Sequence, residues 1–284
     1  MKFLKSLTLG IFAFACTFTF VGCDLFNNTG TLIESPTNEQ ISAVETAILT
    51  NMSEYTGNLT IVNVLTYNQT NTLSYDANSY QKLVTTSTIK TMGTGDNYKA
   101  SKVQEFVGIM HSVTMDYNVS YTEEKFVSKI GDNFTYIDKT EEKIKNFDTL
   151  SAVKTYANFS AIPLLQDISS SFENLSIFTN DQFQLYSLDN TGTSYRITSG
   201  TVSYDENNET TALTKSIYEI EIKVGTINNV MLVTYCKVTE TDYTRTTVAD
   251  EWVSANKEQI SETNYNYVSS SITIPDTTGY QEEV

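Results

Sequence analysis

Run after run of this chain alternates apolar with polar residues at a period of two, and only three prolines interrupt 284 residues. Successive side chains of a strand point to opposite faces, so this period marks strands with one drier and one wetter side. Tyr117, Val119 and Tyr121 alternate with Asn118 and Ser120 in that manner. The pattern predicts strands over 59–67, 80–92, 98–110, 112–121, 125–130 and 134–137 in the first half. It predicts further strands over 182–188, 195–197, 201–204, 216–224, 229–238, 241–253 and 263–274. Gly93 and Gly95 with Asp96 and Asn97, the run Gly131-Asp132-Asn133, and Asn190-Thr191-Gly192 supply turn signals between runs. Connections this short require antiparallel neighbours, which implies a meander. The 18 tyrosines and 14 phenylalanines fit sheet better than helix. No repeat of solenoid or propeller length is visible.

Two stretches break the rhythm. Ile41, Val44, Ile48, Met52 and Tyr55 recur at helical spacing, with Ser42, Glu45, Thr46 and Thr50 on the other side. Thr37 is placed to cap this helix, Gln40 stands where the reciprocal partner of a capping box belongs, and Gly57 ends it. A second apolar stretch, containing Leu150, Val153, Ala157, Phe159, Ile162, Leu164, Leu165 and Ile168, predicts one or two short helices between 148 and 172, broken at Pro163. The fold expected is mainly β with a few helices (α+β), a single domain over 37–274 followed by a loose acidic tail over 275–284.

The N-terminus says where such a chain resides. Lys2 and Lys5 precede an uncharged apolar run from Leu7 to Phe20, of the length of a secretory signal and short for a membrane span. Gly22 then stands directly before Cys23, and the chain soon turns polar at Asp24, Asn27 and Asn28. The stretch Phe20-Val21-Gly22-Cys23 resembles the lipobox of bacterial lipoproteins, although Phe20 departs from the leucine usual there. The resemblance implies cleavage after Gly22, diacylation of Cys23 and attachment to a membrane on its extracytoplasmic side. Each buried methylene contributes about 0.8 kcal/mol, and one acyl chain holds only marginally, so two would give stable anchoring. Residues 24–36 read as a flexible tether between lipid and fold.

Charge and cysteine usage exclude several classes. Removing residues 1–22 takes away two of 18 basic residues and none of 34 acidic ones, leaving 16 against 34 and a net charge of −18. A surface this acidic repels nucleic acid, so no nucleic-acid partner is expected. Cys16 leaves with the signal and Cys23 is acylated, so Cys236 is the one remaining thiol; no intrachain disulfide and no thiolate zinc site follow.

Candidate chemistry is sparse. His111 is the one histidine, in a strand-like context, which excludes zinc-peptidase motifs, and no Gly-x-Ser-x-Gly elbow or phosphate loop is present. Cys236 lies in an apolar strand with only Lys237 nearby as a cation. The run Asp205-Glu206-Asn207-Asn208-Glu209 has oxygen ligands at alternate positions, yet Thr210 and Ser216 replace the glycine and glutamate that a calcium loop needs. Asp138 with Glu141 and Glu142, or Asp250 with Glu251, could pair only if the fold turned them into one cleft. No catalytic residue, metal or cofactor is expected.

The order of elements (helix, strands, short helices, strands) resembles the lipoprotein-carrier fold of the LolA, LolB and LppX-like families. That resemblance implies a curved antiparallel meander sheet or half-barrel, covered by an N-terminal helix and a mid-chain helical insertion, with an apolar or amphiphilic ligand held in the hollow between them. Ile41, Val44, Ile48 and Met52, with Phe159, Ile162, Leu164, Leu165 and Ile168, would line it. The other reading is a filled β core that serves as a surface interaction or structural protein. Tyr75, Tyr80, Tyr98, Tyr265 and Tyr267 would then supply contact area wherever they point outward.

Overall fold

The computed structural model describes residues 30–52, 55, 57–71, 75–159, 182–205, 208–268 and 271–283. Among them thirteen strands form, of which the first, the seventh and the last lie outside the predicted period-two runs: β1 (Thr31–Leu32), β2 (Leu59–Thr70), β3 (Tyr80–Met92), β4 (Lys99–His111), β5 (Asp116–Ile130), β6 (Asn133–Asp138), β7 (Lys143–Phe147), β8 (Gln184–Ser187), β9 (Ser194–Tyr204), β10 (Thr214–Ile227), β11 (Val230–Thr244), β12 (Val253–Asn266) and β13 (Gln281–Glu282). All belong to one open sheet of order β1-β8-β9-β10-β11-β12-β2-β3-β4-β5-β6-β7-β13. Two antiparallel meanders, β2 to β7 and β8 to β12, join where β12 pairs with β2 from Lys257↔Gln69 to Asn266↔Thr60. Sequence proximity predicts every neighbour inside a meander but not this seam. The sheet is mixed because β13 runs parallel to β7.

Several boundaries differ from those predicted. The stretch 241–253 is not one strand: Thr241–Thr244 ends β11, residues 245–252 form a loop, and Val253 begins β12. That loop is closed by Arg245, which donates from Nε to the Ala212 carbonyl at 2.8 Å and from Nη1 to that of Val248 at 2.9 Å, and stacks 4.3 Å from the Trp252 ring. The charged stretch 143–147 is a strand. The tail expected to be loose is tied down: Gln281 and Glu282 pair with Lys143 and Ile144, while Ile272, Ile274 and Tyr280 pack with Phe126 and Ile137 on one face of the sheet.

The opposite face carries two helices. Helix α1 (Asn38–Thr46) continues as a π-helical turn, Ala47–Asn51. The Thr37 hydroxyl accepts from the Gln40 amide at 3.3 Å, and the Thr37 amide donates to the Gln40 side chain at 2.9 Å, closing the capping box. Val44, Ala47, Ile48 and Met52 are buried against Ile61, Ile89, Ile222, Leu232, Val233 and Tyr265, the largest core cluster. Helix α2 (Leu150–Ala157) is capped by Thr149, whose hydroxyl accepts from the Ala152 amide at 3.2 Å, and ends at Asn158 in the left-handed conformation. It buries Val153 against a smaller cluster of Tyr98, Ala100, Val127, Phe134 and Phe159. Register links the two helical regions across one face: Ile61 pairs with Ile89, Thr91 with Ala100, and Ala100 with Val127. No described helix is long and apolar enough to cross a membrane.

Candidate functional site

Between these two helical regions the sheet face is hollow. A cleft of about 590 Å³ opens there, lined by Tyr55 and Gly57 from the segment after the first helix, Thr91, Gly93, Thr94, Gly95 and Tyr98 around the β3–β4 turn, Val127 from β5, and Leu150, Lys154 and Phe159 from α2 and the residues just beyond it. Its floor is apolar. Val127 is 1% exposed, Tyr98 7% and Phe159 8%. Gly93 closes the turn at a φ of +71°, and a Cβ there would meet the Asn97 carbonyl at 2.3 Å, so no other residue fits without moving the turn.

Two aromatic groups set the walls. Tyr55 meets Tyr267 edge-on at 5.1 Å, and its hydroxyl donates to the Asn58 carbonyl at 3.3 Å. On the other side Tyr136 packs edge-on to Tyr156 at 5.1 Å and tilts against Phe159 at 6.2 Å. The Tyr156 hydroxyl donates to Glu283 at 3.0 Å, so the C-terminal segment holds α2 down. One cation stands at the mouth: the Lys154 ammonium lies 4.2 Å from the Tyr98 ring centroid and makes no ion pair among the described residues. Burial pushes the Tyr98 phenol up to about 12, so it remains neutral. An apolar floor, a neutral phenol, threonine hydroxyls and one ammonium at the rim suit a molecule with a greasy body and an anionic end.

The residues expected to line a hollow separate into groups. Val44 (0% exposed), Ile48 (3%) and Met52 (4%) are packed into the main core, and Ile41 is half-buried on the same helix. Met52 Sδ accepts from the Tyr267 hydroxyl at 3.0 Å. Phe159 borders the cleft. Ile162, Leu164, Leu165 and Ile168 lie outside the described residues, as do Gly22 and Cys23. Sequence reasoning missed Tyr98, Val127 and Lys154 as lining groups. Tyr98 and Val127 carry the same period-two signal as any core strand residue, and Lys154 reads as an ordinary solvated helix cation.

The remaining candidates hold the structure together. His111 Nδ1 lies 2.5 Å from Asp116 Oδ1 and its ring stacks on Tyr80 at 5.4 Å, clasping the β4–β5 hairpin. Cys236 is wholly buried, and burial pushes its thiol up to about 12. Asn208 Oδ1 accepts from the Thr210 amide and hydroxyl, while Glu206 and Asn207 lie outside the described residues. Asp138 accepts from the Glu141 amide at 3.0 Å and Asp250 from the Thr247 amide at 2.8 Å, so both close turns. No group of three or more metal-ligating side chains occurs among the described residues. Of the tyrosines considered as contact groups, Tyr98 and Tyr265 are buried and Tyr267 half-buried, whereas Tyr75 and Tyr80 are exposed.

These observations define an open-sheet β protein with a cleft between its sheet and its helices. No family model matches the chain, and no curated protein does. Among solved structures it is similar to one of lipid–protein interactions in lipovitellin, at 8% identity and a TM-score of 0.38, covering 77% of this chain. It spans only 26% of that much longer protein.

Proposed function

We propose that this chain is a cell-envelope lipoprotein, anchored through acylated Cys23, that binds an apolar or amphiphilic, lipid-like ligand without catalysis. The ligand lies in the cleft between sheet and helices, with the sheet curving as a half-barrel around it. The observation that carries the reading is the cleft itself: an apolar floor of Tyr98, Val127, Leu150 and Phe159, bordered by both helical regions, with the ammonium of Lys154 at its rim. The ligand's chain occupies the floor and its anionic end meets Lys154. The apolar run ending at Gly22-Cys23 supports the anchor.

The test uses the full chain carrying Cys23→Ser, which removes the acylation site. Native mass spectrometry is expected to detect a copurified amphiphile, and a fluorescent fatty acid is expected to bind and be displaced by its unlabelled form. Lys154→Glu should weaken the acid by about three- to tenfold, on the order of 1 kcal/mol for an exposed charge, and leave the matching alcohol unchanged. Absence of both copurified lipid and uptake sinks the reading.

A second reading, a surface interaction protein, is favoured by one observation. Tyr75, Tyr80, Tyr117 and Tyr121 are 71%, 40%, 50% and 47% exposed, and all lie toward the end of the sheet away from the helices.

A further inference from the structure

Strand β5 is paired with β4 along its length, from His111↔Asp116 to Lys99↔Ser128, yet its other side pairs with β6 only from Lys125 to Ile130. The β6–β7 turn closes that ladder: the Lys139 amide donates to the Glu124 carbonyl at 2.9 Å, and the Glu124 amide donates to Thr140 Oγ1 at 2.8 Å. Glu124 therefore points both backbone groups away from β4. By the alternation of an antiparallel ladder, so do Thr122, Ser120, Asn118 and Asp116. Among the described residues no strand accepts them. The sheet has a notch here, one side formed by the β5 edge and the end by the β6–β7 turn.

Edge strands are usually blunted by charge, proline or shortness. Residues 117–122 (Tyr-Asn-Val-Ser-Tyr-Thr) contain no charge, proline or glycine. Two of the carboxylates beside them are paired within the chain, Glu123 with Lys125 at 3.0 Å and Glu124 with Lys139 at 2.5 Å, and Asp116 Oδ1 shares a hydrogen bond with His111 Nδ1 at 2.5 Å. The edge thus adds little repulsion of its own, although the chain carries a net charge of −16.

We propose that a second copy of this chain docks on this edge, β5 against β5 in antiparallel pairing, with a two-fold axis through Val119. This register is self-complementary. It sets Ser120 opposite the partner's Asn118 and Asp116 opposite the partner's Thr122, all with outward-facing amides and carbonyls. On the face that bears the helices it sets Val119 against the partner's Val119 and Tyr117 against the partner's Tyr121, at the closer non-hydrogen-bonded positions. The alternatives are poorer. An axis at Ser120 opposes Asp116 with the partner's Glu124, and one at Asn118 separates the tyrosines and shortens the ladder. Tyr121 already stacks on Phe106 at 5.0 Å, and Leu65, Thr85, Phe106 and Tyr121 share one row of the face, so pairing joins two half-exposed apolar shelves. Each copy's β4–β5 hairpin fills the other's notch.

Site-directed crosslinking tests this in the full chain with Cys16→Ser and Cys23→Ser. Val119→Cys places two thiols across the axis at a Cα separation of about 4.5 Å, within the range a disulfide spans. Under copper–phenanthroline it is expected to form a dimer at least about tenfold faster than Val248→Cys, since pairing raises the effective thiol concentration. Val248 is 52% exposed but lies in the loop after β11. Adding Ser120→Pro, which deletes an outward amide that no group among the described residues accepts, should abolish the difference and leave the near-ultraviolet circular dichroism unchanged. Sedimentation of the cysteine-free-edge parent against its Ser120→Pro form reads the same association without crosslinking. Equal rates for Val119→Cys and Val248→Cys, or a Val119→Cys rate untouched by Ser120→Pro, overturn the proposal, as would a strand of some other protein found on the edge.

Discussion

Single buried residues set the sharpest expectations. Cys236 is 0% exposed and burial pushes its thiol up to about 12, so the reactive thiolate is scarce at neutral pH. With Cys16 and Cys23 replaced by serine, a thiol reagent should find no group in the native chain and one in denaturant; rapid native labelling would contradict the packing. Burial also pushes Tyr98 up to about 12. Tyr218 rises to about 12 as well, through burial first and then its hydrogen bond to Glu240 at 2.8 Å. The unfolded phenol titrates near pH 10, so above that pH the unfolded chain binds fewer protons than the native one. The contribution of these tyrosines is complete below pH 10 and is lost as pH rises through 12. Urea midpoints taken between pH 8 and pH 12 should be flat at first and then fall.

At the scale of elements, covering segments matter more than propensity. Asp76 is 3% exposed in the β2–β3 loop, and its carboxylate accepts from the Asn78 amide at 3.0 Å and the Val113 amide at 2.7 Å, so it ties that loop to the β4–β5 loop. Asp76→Ala would leave those amides unpaired and should cost about 1–3 kcal/mol, with faster hydrogen exchange at Val113 as the local sign. Ile137, 0% exposed beneath the C-terminal segment, should cost about 2–5 kcal/mol when cut to alanine. The period-two pattern around Tyr117 to Tyr121 was legible as a strand with one wet face, yet among the described residues no segment covers either face there. Nothing in the alternation says that β6 stops pairing at Lys125.

Over the whole molecule, the described residues form one sheet with helices on one face and the C-terminal segment on the other, and none of them covers the end opposite the helices. That arrangement separates a cleft near α2 from an open edge on β5, and the two make independent predictions: Lys154→Glu should alter acid binding without changing crosslinking at Val119, and Ser120→Pro should do the reverse. Strand periodicity, the capping box of Thr37 and Gln40, and the short hairpin turns were all determined by the sequence alone, because each depends on residues within a few positions of one another. The β12–β2 seam, the parallel seat of β13, the burial of Tyr98 and Tyr265 and the end of the β5–β6 ladder at Lys125 were decided only by tertiary structure. Each depends on which distant segment reaches a given face, and two identical alternations end up dry or wet according to that arrival.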